Sequence, residues 1–247
     1  MGEKDGGYRE KDGTHGPYME RPRVRGNNAS RHRHDRSAVA TAAMTGPDLA
    51  FEEEARGSGA RVVAGVDEVG RGPWAGPVVA CAAVLTIPPP GGLDDSKALK
   101  PARREALAVA LRDIDHAFGI VDVPELDALG VGRATVVAMA RAVAGLGTAP
   151  DMLLIDGNDP TAWAPCPART IVRGDSRSAS IAAASVLAKV RRDAVMADLA
   201  DRHPGYGWET NMGYGTRAHA DALARLGVTE HHRRSFAPIR ALLRGSD

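Results

Sequence analysis

The stretch RVVAGVDEVGRGPWAGPVVACAAVL (61–85) decides the reading of this 247-residue chain. An apolar run over 62–66 leads into two adjacent carboxylates, Asp67 and Glu68. A turn rich in glycine and proline follows (Gly70, Arg71, Gly72, Pro73, Gly76, Pro77), and a second apolar run covers 78–85. Short β-branched runs bounded by Gly and Pro read as strands, here joined as a hairpin. Two acids at the end of a buried strand are costly unless they are solvated, paired or bound to a cation. Carboxylate oxygens suit hard cations such as Mg²⁺. The hairpin therefore predicts a metal site on a sheet.

Outward from the hairpin, strand-like and helical patterns alternate. LDDSKALKPARREALAVALRDI passes from a loop into a helix, with Pro101 acceptable in its first turn. Residues 118–123 and 152–156 read as strands, and 170–175 as a short one. Residues 126–147 are helical, with a break marked by Gly130 and Gly132. A long helix is expected over 178–203, and shorter ones near 216–226 and 237–244. The order predicts an α/β fold: a mixed central sheet flanked by helices, with a C-terminal helical extension.

Residues 1–58 are expected to be a disordered polar extension ahead of a domain over 59–247, because so few large apolar residues cannot offset the entropy of ordering. Deleting 1–55 should then be nearly neutral. RHRHDR (31–36) reads as a solvated charge run, with adventitious metal binding as the alternative.

The formal net charge is +1, but it is unevenly spread. Residues 51–168 hold 10 Lys/Arg against 16 Asp/Glu, whereas 169–247 hold 13 against 8. A polyanion could thus meet an acidic metal site beside a basic surface; solvated faces alone would give the same imbalance. Cys81 and Cys166 are too few for a disulfide framework or a metal cluster and read as reduced and structural. No apolar run approaches the roughly 20 residues of a membrane span, and no secretory core begins the chain. A cytoplasmic location is expected.

Three predicted strands end or turn at acids: Asp67-Glu68, Asp156 and Asp175. In open α/β sheets functional groups gather at the carboxyl ends of strands. Four converging carboxylates would repel one another unless cations intervene, and two divalent ions about 4 Å apart are the known solution for phosphoryl displacement. Taken singly, each Asp could instead cap a helix or turn, Asp175 most readily. Neighbouring strand residues face opposite ways, so Glu68 is expected to be redirected by the turn that starts at Gly70. Gly70, Gly72 and Gly76 do not form a nucleotide loop, since an apolar strand follows them rather than a helix.

On these residues the chain resembles bacterial type II ribonuclease H. The motifs are GVDEVGRGPWAGPVV (65–79), LDDSKAL (93–99), LLIDGN (153–158), GDSRSASIAAASVLAKVRRD (174–193), HPGYGW (203–208), GYGTRAH (213–219) and HRRSF (232–236). The resemblance implies a ribonuclease H-like fold and an endonuclease acting on two substrates, RNA–DNA hybrids and duplex DNA containing single ribonucleotides. It implies two divalent ions, Mn²⁺ or Mg²⁺, held by Asp67, Glu68, Asp156 and Asp175. It further implies that Gly70, Arg71 and Gly72 grip the ribonucleotide through its 2′-OH, that Tyr214 packs beside it, and that Lys97 contacts a phosphate. A monomer with no membrane partner is expected.

The sequence departs from the family pattern at Met212, where a lysine is usual, and in its polar extension, which is too short and polar for the folded N-terminal domain of type III enzymes. A binding protein without catalysis and a transposase-like nuclease on the same fold are the competing readings. The four acids weigh against the first, and the Gly-Arg-Gly turn with Tyr214 against the second.

Overall fold

Val63–Val69 (β1) and Val78–Val84 (β2) pair antiparallel, with Glu68 opposite Ala80 and Val69 opposite Val79. In this computed structural model, which describes residues 46–158 and 161–244, the hairpin is the middle of a five-stranded sheet. Asp115–Val121 (β3) adds antiparallel to β2, three residues earlier than the pattern suggested. Met152–Asp156 (β4) pairs parallel to β1, and Ala168–Ile171 (β5) parallel to β4, giving the order β3-β2-β1-β4-β5. The expected mixed sheet and flanking helices are present.

Strand alternation divides the core. Ala64, Val66, Val78, Ala80 and Ala82 pack against Ala134, Ala138 and Ala142 of Val131–Ala144 (α4). On the other face Cys81 and Ala83 meet Ala182, Ala183 and Val186 of Ala179–Arg202 (α5). Small residues set these distances. A Cβ on Gly65 would lie 2.1 Å from Ser180 C in α5, and one on Gly119 would lie 1.8 Å from Ala138 O in α4. Gly130, at φ 77°, separates Val123–Leu129 (α3) from α4, as the sequence indicated. Pro101–Ala110 (α2) begins with its proline.

Beyond α5, Trp208–Asn211 (α6), Arg217–Leu226 (α7) and Ala237–Arg244 (α8) enclose Met196, Leu199, Tyr206, Trp208, Leu223 and Ile239. Two neutral imidazoles knit this unit together. Trp208 Nε1–H and His232 Nε2–H both point at His219 Nε2, each 3.1 Å away, and Thr229 N–H donates to His232 Nδ1. Burial drives the His232 pKa down to about 3, so the ring stays uncharged at neutral pH.

The expected boundary at residue 58 moves. Ala50–Gly57 (α1) is a helix, and its Glu52 is fully buried. Glu52 Oε1 accepts from Ser178 Oγ (2.6 Å), Ser180 N (2.8 Å) and Ser180 Oγ (2.5 Å). An acidic group there also meets the positive end of α5. Phe51 lies under two guanidiniums, those of Arg169 and Arg177, 5.1 and 5.0 Å from its ring centre. The polar composition of 50–57 hid this helix, because the partners of Glu52 lie more than 120 residues away. The rest of the expected extension, residues 1–45 with RHRHDR, lies outside the described residues.

Glu52→Ala is expected to lower stability by about 2–3 kcal/mol, because two buried hydroxyls and an N–H lose their acceptor. Glu52→Gln keeps an acceptor oxygen and should cost clearly less. Deleting 1–55, which removes Glu52 and most of α1, should therefore destabilise the protein, contrary to the near-neutral outcome expected from composition. Urea unfolding measures all three; equal losses for Ala and Gln would show that the acceptor is not what matters.

Candidate metal centre

The parallel ladder between β1 and β4 ends at Val66 opposite Ile155, so the next residues along the two strands are Asp67 and Asp156. Both follow residues that face α4, and both therefore lie on the α5 side of the sheet. Asp67 is 4% exposed. Burial pushes its pKa well up, the charges of Glu68 and Asp156 push it further, and Ser185 on α5 works against them. Ser185 is itself held by Ser96, with hydroxyl oxygens 2.9 Å apart.

Glu68 stays within the paired strand, so the turn does not redirect it. It lies at the strand end within reach of Asp156 from the other side, and Arg71 Nη1 is 3.3 Å from its Oε1. Burial raises the Glu68 pKa more than Arg71 lowers it, and Asp156 adds to the rise. Arg71, which the resemblance places in the turn that grips the ribonucleotide, is thus paired with an acid of the cluster. Asp156 Oδ1 accepts from Gly174 N–H at 2.7 Å, fixing the turn that carries the fourth acid.

Asp175 does not end a strand as expected. β5 stops at Ile171, and Asp175 sits in a tight 3-10 turn, Gly174–Ser176, after Arg173 in the left-handed region (φ 56°). The helix-capping role belongs to Ser178, whose side chain accepts from Ile181 N. Asp175 is buried, and its pKa is raised by burial, then by Asp156 and Asp95. Lys97 opposes that rise with Nζ 3.7 Å from Asp175 Oδ2. For Lys97, burial alone would lower the pKa, but Asp67, Asp95, Asp175 and Asp156 together raise it.

Asp67, Glu68, Asp156 and Asp175 therefore form one cluster with Lys97 at its rim. Asp95 belongs to the same field: its Oδ1 accepts from Lys97 N–H and lies 3.9 Å from Lys97 Nζ. Asp95 escaped the sequence reading, although it stands within LDDSKAL. Three of the four acids have raised pKa values with one lysine and one arginine beside them. Negative charge exceeds positive, and every donor is a hard oxygen, so the set fits Mg²⁺ or Mn²⁺.

The turn beside the acids is held from within by two fully buried arginines. Arg233 donates to the carbonyls of Gly70 (2.6 Å), Arg71 (3.0 Å), Gly76 (2.8 Å) and Pro77 (3.2 Å). Arg192 donates to Pro77 O (3.0 Å), Ala75 O (3.2 Å) and Met212 O (3.0 Å). Burial lowers their pKa values to about 9 and about 10, still high enough for both to be charged at pH 7. Neither was singled out from the sequence. Arg192 lies in a helix and Arg233 in a C-terminal loop, with nothing local to mark their targets.

The two expected binding glycines differ. Gly70 has φ 97°, and a Cβ there would lie 2.3 Å from Arg192 Nε, so the fold itself demands glycine. A Cβ at Gly72 would meet only Tyr214 Cε1, at an ordinary 3.5 Å. Tyr214 is 47% exposed, so its ring flanks the turn and is not a core anchor. Met212 adopts φ 51° and packs partly into the C-terminal core. Lys189 of α5 pairs with Asp193 one turn further along the same helix.

The family model for Ribonuclease HII matches residues 64–239. A "Ribonuclease HII" of Jannaschia sp. (strain CCS1) is 59% identical over 202 residues, covering 81% of this chain and 100% of that relative. Among solved structures, the ribonuclease H2 from Pyrococcus horikoshii OT3 superposes with a TM-score of 0.63 at 26% identity, over 74% of this chain and 98% of that one. Bst-RNase HIII in complex with Mn²⁺ shares the fold, with a TM-score of 0.59 at 21% identity over 75% of this chain and 70% of that one.

Asp67→Asn is expected to raise the melting temperature of the metal-free protein at pH 7.5 by several degrees, since 1 kcal/mol is worth about 2–4 °C at this size. The folded-state pKa of Asp67 is raised, so this group favours folding at acid pH and loses that contribution as pH climbs through the folded value. The advantage of the variant should shrink as pH falls toward 4. An advantage independent of pH would remove repulsion as its cause.

Proposed function

The chain belongs to the ribonuclease HII family, and on that footing we propose that it is an endonuclease that hydrolyses the RNA strand of RNA–DNA hybrids and cuts 5′ of single ribonucleotides in duplex DNA. The observation that carries this reading is the convergence of Asp67, Glu68, Asp156 and Asp175, with raised pKa values on three of them, beside a turn whose carbonyls are held inward. These four acids would hold two divalent ions, Mg²⁺ or Mn²⁺, which supply Lewis-acid stabilisation of phosphoryl transfer.

The protein's own groups do the rest. Gly70, Arg71 and Gly72 bring backbone to the ribose, where the 2′-OH distinguishes RNA from DNA. Gly72 supports this role because the fold leaves room for a side chain there, so the missing Cβ serves an approaching ligand. Tyr214, exposed beside it, offers a face for the neighbouring sugar. Lys97 places a cation at the rim of the acids, where it can meet a phosphate. A 2′-OH attacks only the phosphate on its own 3′ side, and the proposed cut is on the 5′ side. The nucleophile is therefore water, which attacks phosphorus and expels the O3′ oxygen, leaving a 3′-hydroxyl and a 5′-phosphate.

Incubating the pure protein with a duplex carrying one ribonucleotide tests the proposal. Cutting with those ends is expected with Mn²⁺ or Mg²⁺ and not with chelator alone. Asp67→Asn should lose well over tenfold in turnover, since a metal site supplies several kcal/mol. No cutting with either ion, or a tenth or more of the activity surviving in the variant, would overturn the assignment.

Gly72→Ala should keep the wild-type melting temperature yet cut the single-ribonucleotide substrate at least tenfold more slowly, about 1.4 kcal/mol in the barrier. Tyr214→Ala should lose more on that substrate than on a long hybrid. A melting temperature that falls with both activities equally would make these positions structural.

A further inference from the structure

Apart from the four acids, the end of α5 and the loop before α8 bring together His203, Glu230 and His231. Their ligand atoms all lie within 4.8 Å of one another. The imidazoles of His203 and His231 meet edge to face, with ring centres 4.7 Å apart. Glu230 Oε1 is 3.5 Å from His231 Nε2. That nitrogen is buried and makes no hydrogen bond, an arrangement that in folded proteins calls for an explanation such as an ion.

We propose that His203, Glu230 and His231 form a binding site for one divalent transition-metal ion of the Zn²⁺ class, distinct from the carboxylate centre. Two imidazoles, one carboxylate and an open position for water are an established Zn²⁺ donor set. Nitrogen donors also favour such an ion over Mg²⁺, which seeks oxygen. Ligands about 2.1 Å from a tetrahedral ion stand roughly 3.4 Å apart. The Glu230–His231 pair already has that spacing, and the Glu230 side chain, 78% exposed, is free to close onto His203. Glu230 and His231 border a cavity also lined by Asp122 and Arg202, whose opposite charges offset each other along the ion's approach.

The ion's role would be to brace the fold. His231 O accepts from Gly76 N–H at 2.9 Å, and Arg233, two residues on, holds the carbonyls of the 70–77 turn. A bound ion would tie the end of α5 to the segment that sets that turn.

The test uses the full chain carrying His32→Ala and His34→Ala, which removes the competing histidines of RHRHDR, with Mg²⁺ in excess to occupy the carboxylates. Titrating Co²⁺ should reveal one equivalent with a nitrogen-ligated visible spectrum and a dissociation constant near or below about 10 µM. Zn²⁺ should displace it and raise the melting temperature. His203→Gln or His231→Gln in that background should weaken binding at least about tenfold and abolish the Zn²⁺-dependent rise. Should either variant fold poorly without metal, Glu230→Gln, at an exposed side chain, gives the same comparison. Equal stoichiometry, affinity and spectrum in parent and variants would overturn the proposal, as would no Co²⁺ bound tighter than about 100 µM.

Discussion

The start of α5 lies so close to β1 that Gly65 has no room for even one added carbon against Ser180. Everything acidic depends on that approach. It sets Ser185 beside Asp67, and it brings the turn just ahead of the helix, with Asp175, to the strand ends where Asp156 already stands. A side chain at position 65 would push the helix off the sheet, and the carboxylates would separate before any of them was altered. Glu52 works on the same element from outside, binding the first residues of α5 to α1.

The cluster is held against its own electrostatics. Packing forces like charges into a partly desolvated space, where burial first and then the charge of Asp156 raise the pKa values of Asp67, Glu68 and Asp175. Lys97 and Arg71 relieve this only in part. The arginines inside the turn face the reverse problem. They are buried cations without a carboxylate between them and the backbone, and each is satisfied by several carbonyls at once, a geometry the guanidinium fork suits and an ammonium does not. Acid repulsion and guanidinium forks thus lie a few residues apart along one strand and its turn.

Much of this was legible from the sequence, for local reasons. The apolar runs ending in Asp67 and Asp156 announce strands with acids at their ends, and Gly130 breaks its helix where expected. Legibility failed where the decisive partner is distant in the chain. Glu52 reads as one of three consecutive glutamates until Ser178 and Ser180 fold onto it. Arg192 and Arg233 read as surface charge until the turn comes to them. Asp175 was found for the wrong geometric reason: its chain had already left the strand and entered a tight turn whose backbone N–H binds Asp156. Glu68 needed no redirection, because a strand end is open enough for acids on both faces to approach a third.

The pairing of β1 with β4, and the reach of Arg233 back to the turn at 70–77, have a consequence for how the molecule is made. The β1–β2 hairpin closes locally, but its parallel partner is more than 80 residues downstream, and such long closures are slow to form. The guanidinium that fixes the turn is synthesised some 160 residues after it. During synthesis the acids remain solvated and apart, and the turn remains unset. Assembly of the centre is therefore deferred until Arg233 has been made, so chains that stop short of it carry the parts of the centre without its arrangement.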